Sequence, residues 1–245
     1  AGDTTTIDAY LVRSPSLLLR PDSHGSTWTL HPILPDVQWI NNSTIPFGPN
    51  TGVMRAERGV SWRVAGGLDL TRGNFRFVLA PELWDMGNAD FKFTGPLGVY
   101  INHPIPEKRY GNGFANIWYV QPYSADLPWR PGDQSAMDLW LGQTGVWYNT
   151  GPVELGFTSE NMWWGPGIQN AIIMSDNAAG VPRFELRTPH AIRTRLGSFE
   201  AQWFLGALSE SQVFDTTKTD DVRSLSGAVV TWRPAFQPKL TLGAT

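Results

Sequence analysis

"LGSFEAQWFLGALS", Leu196 to Ser209, is the longest stretch of the chain that reads with a period of two. Phe199, Ala201, Trp203, Leu205 and Ala207 share one face, and Ser198, Glu200 and Gln202 share the other. Such alternation marks a strand with one apolar and one polar side. The pattern recurs outward in both directions. Val60, Trp62, Val64, Leu68 and Leu70 stand against Ser61, Arg63 and Asp69; Thr71-Arg72-Gly73-Asn74 reverses the chain; and Phe75, Phe77, Leu79 and Leu83 resume opposite Arg76 and Glu82, which predicts a hairpin. Val153, Leu155 and Phe157 oppose Glu154 and Glu160, and Phe184 and Leu186 oppose Arg183, Glu185 and Arg187. Two runs are less regular: Ala136 to Tyr148 carries Trp140, Leu141 and Trp147 with apolar residues on both faces, and Val222 to Arg233 drifts. No segment keeps a helical period over three turns and no repeat is present, so the chain reads as nearly all β.

Composition agrees. Twelve tryptophans and 25 glycines suit sheets with tight turns. At 245 residues the chain can build a sizeable core as one domain or two. Nineteen Lys and Arg against 22 Asp and Glu give a net charge of -3, which does not suit a nucleic acid partner. The absence of cysteine removes disulfides, thiolate metal sites and cysteine nucleophiles.

Alternation alone fits a soluble sandwich or a membrane barrel. Loop lengths separate them. The connections run short at Thr71–Asn74, long at Met86–Gln134, short at Asn149–Pro152, long at Asn161–Pro182, short at Pro189–Arg195, long at Glu210–Asp221 and short at Pro234–Pro238. Strict alternation of this kind is expected of an outer-membrane barrel, with short periplasmic turns and longer extracellular loops. Arg63, Arg76, Arg183 and Arg187 would then interleave in a wet lumen with Asp69, Glu82, Glu154, Glu185 and Glu200. On charge pattern alone, the solvent face of a sandwich fits equally well. No apolar run reaches the ~18 residues of a membrane helix. "AGDTTTIDAY" lacks the features of a signal peptide and reads as the start of a mature, processed secreted chain. The short Asn-x-Ser/Thr matches at Asn41 and Asn42 carry little weight.

Catalytic patterns are weak. His24, His31, His103 and His190 lack metal-ligand spacing and sit near no nucleophile motif, so they read as surface or turn residues and no metal or cofactor is expected. Glu82 with Asp85 and Glu154 with Glu160 could serve a glycosidase, but alternating strands generate such pairs by default. "TTKTDD", Thr216 to Asp221, reads as a solvated loop tip, and "GNG", Gly111 to Gly113, lacks the setting of a phosphate loop.

The unusual residues lie in the long loops. Trp118, Tyr119, Tyr123, Trp129 and Arg130 crowd Asn116 to Asp133, and Trp163 and Trp164 precede a Gly165-Pro166-Gly167 turn. Indole rings can stack on sugar rings, although any single Trp in a barrel is as well explained by packing or by an interfacial girdle. The run "WWGPGIQNAIIMSDNAAGVPRFEL", Trp163 to Leu186, resembles the Wzi family of bacterial outer-membrane capsule-assembly proteins. Trp163 to Gly167 match its turn, Ile172 to Ser175 its apolar run, and Asn177, Ala178 and Pro182 its approach to the next strand. Asp126, Pro128, Arg130 and Gly132 resemble a second family segment, while Asp176 and Ala179 stand where the family pattern has Asn and Arg.

The resemblance implies a transmembrane antiparallel β-barrel in the bacterial outer membrane, with long extracellular loops partly plugging its lumen. It implies a lectin that anchors capsular or other surface polysaccharide, and no enzyme. The expected partners are that polysaccharide, outer-membrane lipids and the capsule export machinery. Residues 1–245 would form one barrel domain, or the N-terminal part of a larger one, with residues 1–26 a periplasmic segment. Trp163, Trp164, Asp176, Asn177, Trp118, Tyr119, Trp129 and Arg130 are the expected sugar contacts, framed by Gly165, Pro166, Gly167 and Pro182. One of Trp163 and Trp164 is expected to anchor the loop and the other to face the sugar. A porin-like channel and a secreted β-sandwich glycoside hydrolase using Glu154 and Glu160 are the competing expectations.

Overall fold

The computed structural model describes residues 12–13, 25–44, 52–54, 57–89, 135–167, 171, 173–209 and 222–245. These hold no helix and a succession of strands: β1 (Val12–Arg13), β2 (Thr29–Asn42), β3 (Gly59–Arg72), β4 (Phe75–Leu79), β5 (Glu82–Met86), β6 (Ala136–Trp140), β7 (Gly145–Asn149), β8 (Glu154–Thr158), β9 (Trp163–Trp164), β10 (Arg183–Arg187), β11 (Ile192–Thr194), β12 (Gly197–Ser209), β13 (Val222–Pro234) and β14 (Leu242–Ala244). Twelve form one antiparallel sheet, and β1 with β9 forms a small separate ribbon.

Some strands are halves of longer ones. Both β4 and β5 pair with β3 in one register, Leu68 opposite Leu79 and Ala65 opposite Glu82. The break falls at Ala80–Pro81, where proline has no N–H to give the ladder. Along their other edge, β4 pairs with β7 and β5 with β6. In the same way β10 and β11 both pair with β12. With each such pair counted as one strand, neighbours in the sheet are neighbours in sequence. The result is an up-and-down meander, bounded by β2 and β14. Among the described residues the sheet is open, so they do not draw the closed barrel.

The order of short and long connections holds throughout. Residues 73–74, 150–153, 195–196 and 235–241 turn at one end, and residues 43–58, 87–135, 159–182 and 210–221 connect strands at the other. One boundary differs from expectation. The turn expected over Pro189–Arg195 is confined to Arg195 and Leu196, because the strand resumes as β11. Pro189 cannot donate to the ladder, and Thr188 Oγ1 instead accepts from Ala201 N at 3.1 Å while the register shifts.

The two faces of the sheet are inverted relative to a soluble protein. Phe184 on β10 is 62% exposed, and Leu155, Phe157, Leu186, Trp203 and Leu205 around it are also exposed. Arg183, Glu185 and Arg187, which alternate with Phe184 and Leu186, are 1, 2 and 2% exposed. The charges therefore do not coat the solvent side of a sandwich; they occupy the enclosed side, toward which the segment 159–182 folds. The outer face carries aromatics at two levels. Near the short turns lie Trp28, Phe75 and Tyr148, and farther along Phe199, Trp232 and Phe236. Phe75 meets Tyr148 at 4.7 Å and Trp232 stacks on Phe199 at 6.1 Å. Near the long loops Trp39 stands directly opposite Trp62.

The irregular period of Ala136 to Tyr148 has a local cause. Trp147 points to the inner face and is 1% exposed. It lies flat because its neighbours there are glycines: an added Cβ would stand 2.4 Å from the indole at Gly145 and 2.4 Å from it at Gly156, its cross-strand partner. Gly156→Ala should therefore displace the ring and cost about 1–3 kcal/mol, as overpacking does. Thermal unfolding reads this, and an unchanged midpoint would show that the indole can tilt away without loss.

Candidate functional site

The inner face carries a chain of contacts that starts at the β2 edge. Arg63 on β3 pairs with Asp36 on β2 and lies 3.4 Å from Glu82 on β5. Arg76 on β4 grips Asp69 on β3 with two nitrogens, Nε to Oδ1 at 3.1 Å and Nη2 to Oδ2 at 2.7 Å. Trp147 comes next, with the guanidinium carbons of Arg76 and Arg187 at 6.0 and 5.2 Å from its ring. Arg187 on β10 donates to Glu154 at 2.9 Å and to Glu160 at 2.9 Å, and pairs with Glu185 at 2.9 Å. Glu185 also accepts from Trp147 Nε1 at 2.9 Å, Arg183 Nε at 3.1 Å and Gln202 Nε2 at 3.0 Å. The wet array expected from the sequence is thus, from Asp69 and Arg76 to Glu185 and Arg187, a set of buried, directly bonded pairs, with exposed Asp36 at one edge and half-buried Glu200, bonded to Thr231, at the other.

This bonding bears on catalysis. Glu154 and Glu160 do come together, but both are bound to Arg187, so the pair is used in structure. Glu82 and Asp85 lie three residues apart on β5 and point to opposite faces.

The loop that follows β8 docks on the inner face and is termed the plug for that position alone. Met162 and Trp164 pack against Phe204 on β12 and Val229 on β13, with Met174 and Leu225 around them. Trp164 is 3% exposed, meets Phe204 edge-on at 5.6 Å and donates Nε1 to Gln202 Oε1 at 2.8 Å. Its backbone N donates to Met174 O at 3.0 Å, and β9 pairs with β1. Gly227 leaves room for both rings, since a Cβ there would lie 2.8 Å from Phe204 and 3.2 Å from Trp164. Gly165, at φ +135°, takes a conformation that favours glycine and opens the turn. Half-buried Trp163 closes it, donating Nε1 to Gly167 O at 2.8 Å. Pro166 is exposed at the tip, and Pro182 returns the chain to the wall, its carbonyl accepting from Ala207 N at 3.1 Å.

A polar relay ties the far part of the plug to the wall. Gln143 Nε2 donates to Glu82 at 2.9 Å and to Asn161 Oδ1 at 2.9 Å. Asn161 Nδ2 donates in turn to Asp176 Oδ1 at 2.7 Å and to Ala178 O at 2.8 Å. Burial, reinforced by the Glu82 charge and opposed by Arg63, pushes the Asp176 carboxyl from 3.8 up to about 6. Glu82 and Gln143 also line a cavity of about 430 Å³ together with Asp36, Arg63, Asp69 and Arg76.

The structure thus brings Trp163, Trp164, Asp176 and Asn177 onto one loop, with Trp164 buried, Trp163 and Asp176 half-buried and Asn177 exposed. Trp118, Tyr119, Trp129 and Arg130 lie outside the described residues, as do His24, His103, Gly111 to Gly113 and Thr216 to Asp221. His31 and His190 are exposed. Sequence reasoning missed Gln143 and Asn161, whose role depends on contacts distant in the chain.

An antiparallel all-β meander, apolar outside and charged within, with a loop docked on its inner wall, defines a class of inside-out sheet proteins. The family described as "Capsule assembly protein Wzi" matches residues 102–245, more than half of the chain, and the chain belongs to it. The resemblance read from Trp163 to Leu186 is borne out. No curated protein and no solved structure matches the chain.

Two measurements follow from the plug. Trp164→Ala should cost about 3–5 kcal/mol, because a buried indole volume is lost, whereas Trp163→Ala should cost about 1 kcal/mol for one hydrogen bond; equal thermal destabilisation would refute the division. Between pH ~4 and ~6 the folded chain keeps a proton on Asp176 that the unfolded chain has released, so the stability contributed by this one group falls as pH rises through that window and does not change further above it. Asp176→Asn should flatten this profile and raise the thermal midpoint at neutral pH; a profile like that of the unaltered chain would show that Asp176 is not the group responsible.

Proposed function

We propose that the chain is an outer-membrane β-barrel protein that binds and anchors capsular or other surface polysaccharide during capsule assembly, as a lectin and without catalysis. The observation that carries this reading is the division within one loop. Trp164 fixes the loop to the wall, while on the same loop Trp163 stays half-buried and Asn177 exposed. An aromatic side chain, an amide and a carboxylate carried on one loop suit a polyhydroxylated ligand, and Trp118, Tyr119, Trp129 and Arg130 are the further contacts expected from the sequence. The family's role in capsule assembly supports it.

The membrane part rests on the outer face. From the Trp39–Trp62 level to the Arg72–Phe75 level there are about ten residues of strand, roughly 34 Å along β3 and about 26 Å in height at a ~40° tilt. That agrees with the ~25 Å apolar band of outer-membrane barrels, flanked by aromatic girdles. In this orientation the short turns face the periplasm, and the capsule export machinery is the expected neighbour; Val12 and Arg13, expected in a periplasmic segment, pair instead with Trp163 and Trp164 of the docked loop. A docked plug also argues against a freely conducting pore.

Leu205→Arg, on the outer face, should cost about 2–4 kcal/mol if that position meets the bilayer midplane. Recovery of the unaltered chain as a soluble monomer without detergent would defeat the membrane reading. In reconstituted vesicles the protein should retain capsular polysaccharide and pass little steady current. Trp163→Ala should weaken retention by about 1 kcal/mol per stacking contact, multiplied along a repeating glycan by avidity. Large stable currents with no retained glycan would favour a channel instead.

A further inference from the structure

We infer that the short-turn rim, centred on Arg72, Trp28 and Phe75, is a binding site for the headgroup of an anionic phospholipid in the adjoining leaflet. The inference rests on the membrane reading above and adds a ligand to a surface that reading leaves bare. The chain as a whole carries a net charge of -3. Yet the exposed charged side chains described at this rim are all basic: Arg72 at the end of β3, Arg193 on β11, Arg195 in its turn and Lys239 beyond β13. Of the carboxylates nearest in the fold, Asp69 and Glu154 are buried on the inner face against Arg76 and Arg187, and Glu200, half-buried on the same inner face, lies near Arg233 and bonds Thr231. The rim is therefore a positive edge beneath an apolar wall.

Arg72 has the geometry of a headgroup ligand. It stands opposite Phe75, on the outward side of the sheet. Its Nε donates to Ser26 O at 2.9 Å, and the guanidinium lies 5.6 Å from the centre of the Trp28 ring. These contacts hold the fork at the level where the apolar face ends. Ser26, Trp28, Arg72, Gly73 and Phe75 line a concavity of about 530 Å³ that opens outward. Trp28 and Phe75 are 56 and 54% exposed, so they can flank acyl chains while the guanidinium takes the phosphate. A lipid satisfies both halves of this surface at once. An acidic soluble protein would satisfy the charge and leave the aromatics in water.

The test uses the full chain in vesicles of phosphatidylcholine, with and without phosphatidylglycerol, and native mass spectrometry of the extracted protein to count retained lipid. Phosphatidylglycerol should be retained over phosphatidylcholine, and the preference should collapse at high salt. Arg72→Gln should lower retention about fivefold, the effect of one basic residue near an anionic surface. Arg223→Gln, at the long-loop end, should leave it unchanged. If Arg72→Gln does not fold, Arg195→Gln should still lower retention of phosphatidylglycerol. Equal retention of the two lipids by the unaltered chain, or loss of preference in neither rim variant, overturns the inference while leaving the barrel standing. Failure to insert into either vesicle overturns the barrel itself. Binding of polyglutamate at this rim without phosphatidylglycerol retention would overturn it in favour of a protein partner.

Discussion

The carboxylate of Glu185 is the point at which wall, charge array and plug are joined. One oxygen accepts from Trp147 and lies against Arg187, and the other accepts from Arg183 and Gln202. Gln202 passes the connection to Trp164 of the plug. A buried carboxylate is tolerated only when its acceptor sites are filled, because leaving one charge unpaired in a low-dielectric interior costs several kcal/mol. Glu185 meets that condition with partners from β7, β10 and β12. The array gives little net stability over an apolar replacement, but it admits few alternatives: a register slip on β10 would turn Arg183, Glu185 and Arg187 outward together.

Beyond Glu185 the inner face changes character. From β2 to β10 it is charged, and across β12 and β13 it becomes apolar through Phe204, Leu225 and Val229, where Met162, Trp164 and Met174 dock. Met162, Trp164 and Met174 fill this patch together, and the glycine opposite Phe204 fixes how deep the indole sits. The position of Trp163 and Asn177 is thus set by the packing of Trp164 on a rigid wall and not by these two residues themselves.

Much of this was legible in the sequence. Alternation assigned residues to faces correctly from Val60 to Leu83, Leu155 to Phe157, Arg183 to Arg187 and Ser198 to Ala207, because each of these strands has one apolar and one polar side. It could not say which side is enclosed; that depends on what surrounds the sheet. The two irregular runs are irregular for one reason. Trp147 lies inward over glycines, and Leu225 and Val229 point inward to meet the plug, so tertiary packing overrides the period there. The breaks at Ala80–Pro81 and Thr188 escaped notice because the pairing continues across them. At the site, the Gly-Pro-Gly turn and the aromatic pair were visible, and so was the expectation that the two rings differ in role. Which ring anchors was not, since Gln202, Phe204 and Gly227 are far away in the chain. The β1–β9 ribbon is too short to leave any period.

Asp176 shows how the plug is held with less certainty at one end than the other. At the Trp164 end, apolar contact and a bonded indole close the loop against the wall. At the Asp176 end the tie is a relay of amides, Gln143 and Asn161, reaching from Glu82 to a second carboxylate. Amides can donate to both carboxylates at once, which lets two acidic groups share a region that would otherwise drive them apart. The burden falls on Asp176, whose carboxyl is pushed up to about 6 while Asn161 bonds it. The exposed residues Asn177 and Ala178 follow it directly. The segment next to the accessible surface is therefore the one held by the weaker, titratable tie, so local opening of the loop costs less at Asp176 than at Trp164.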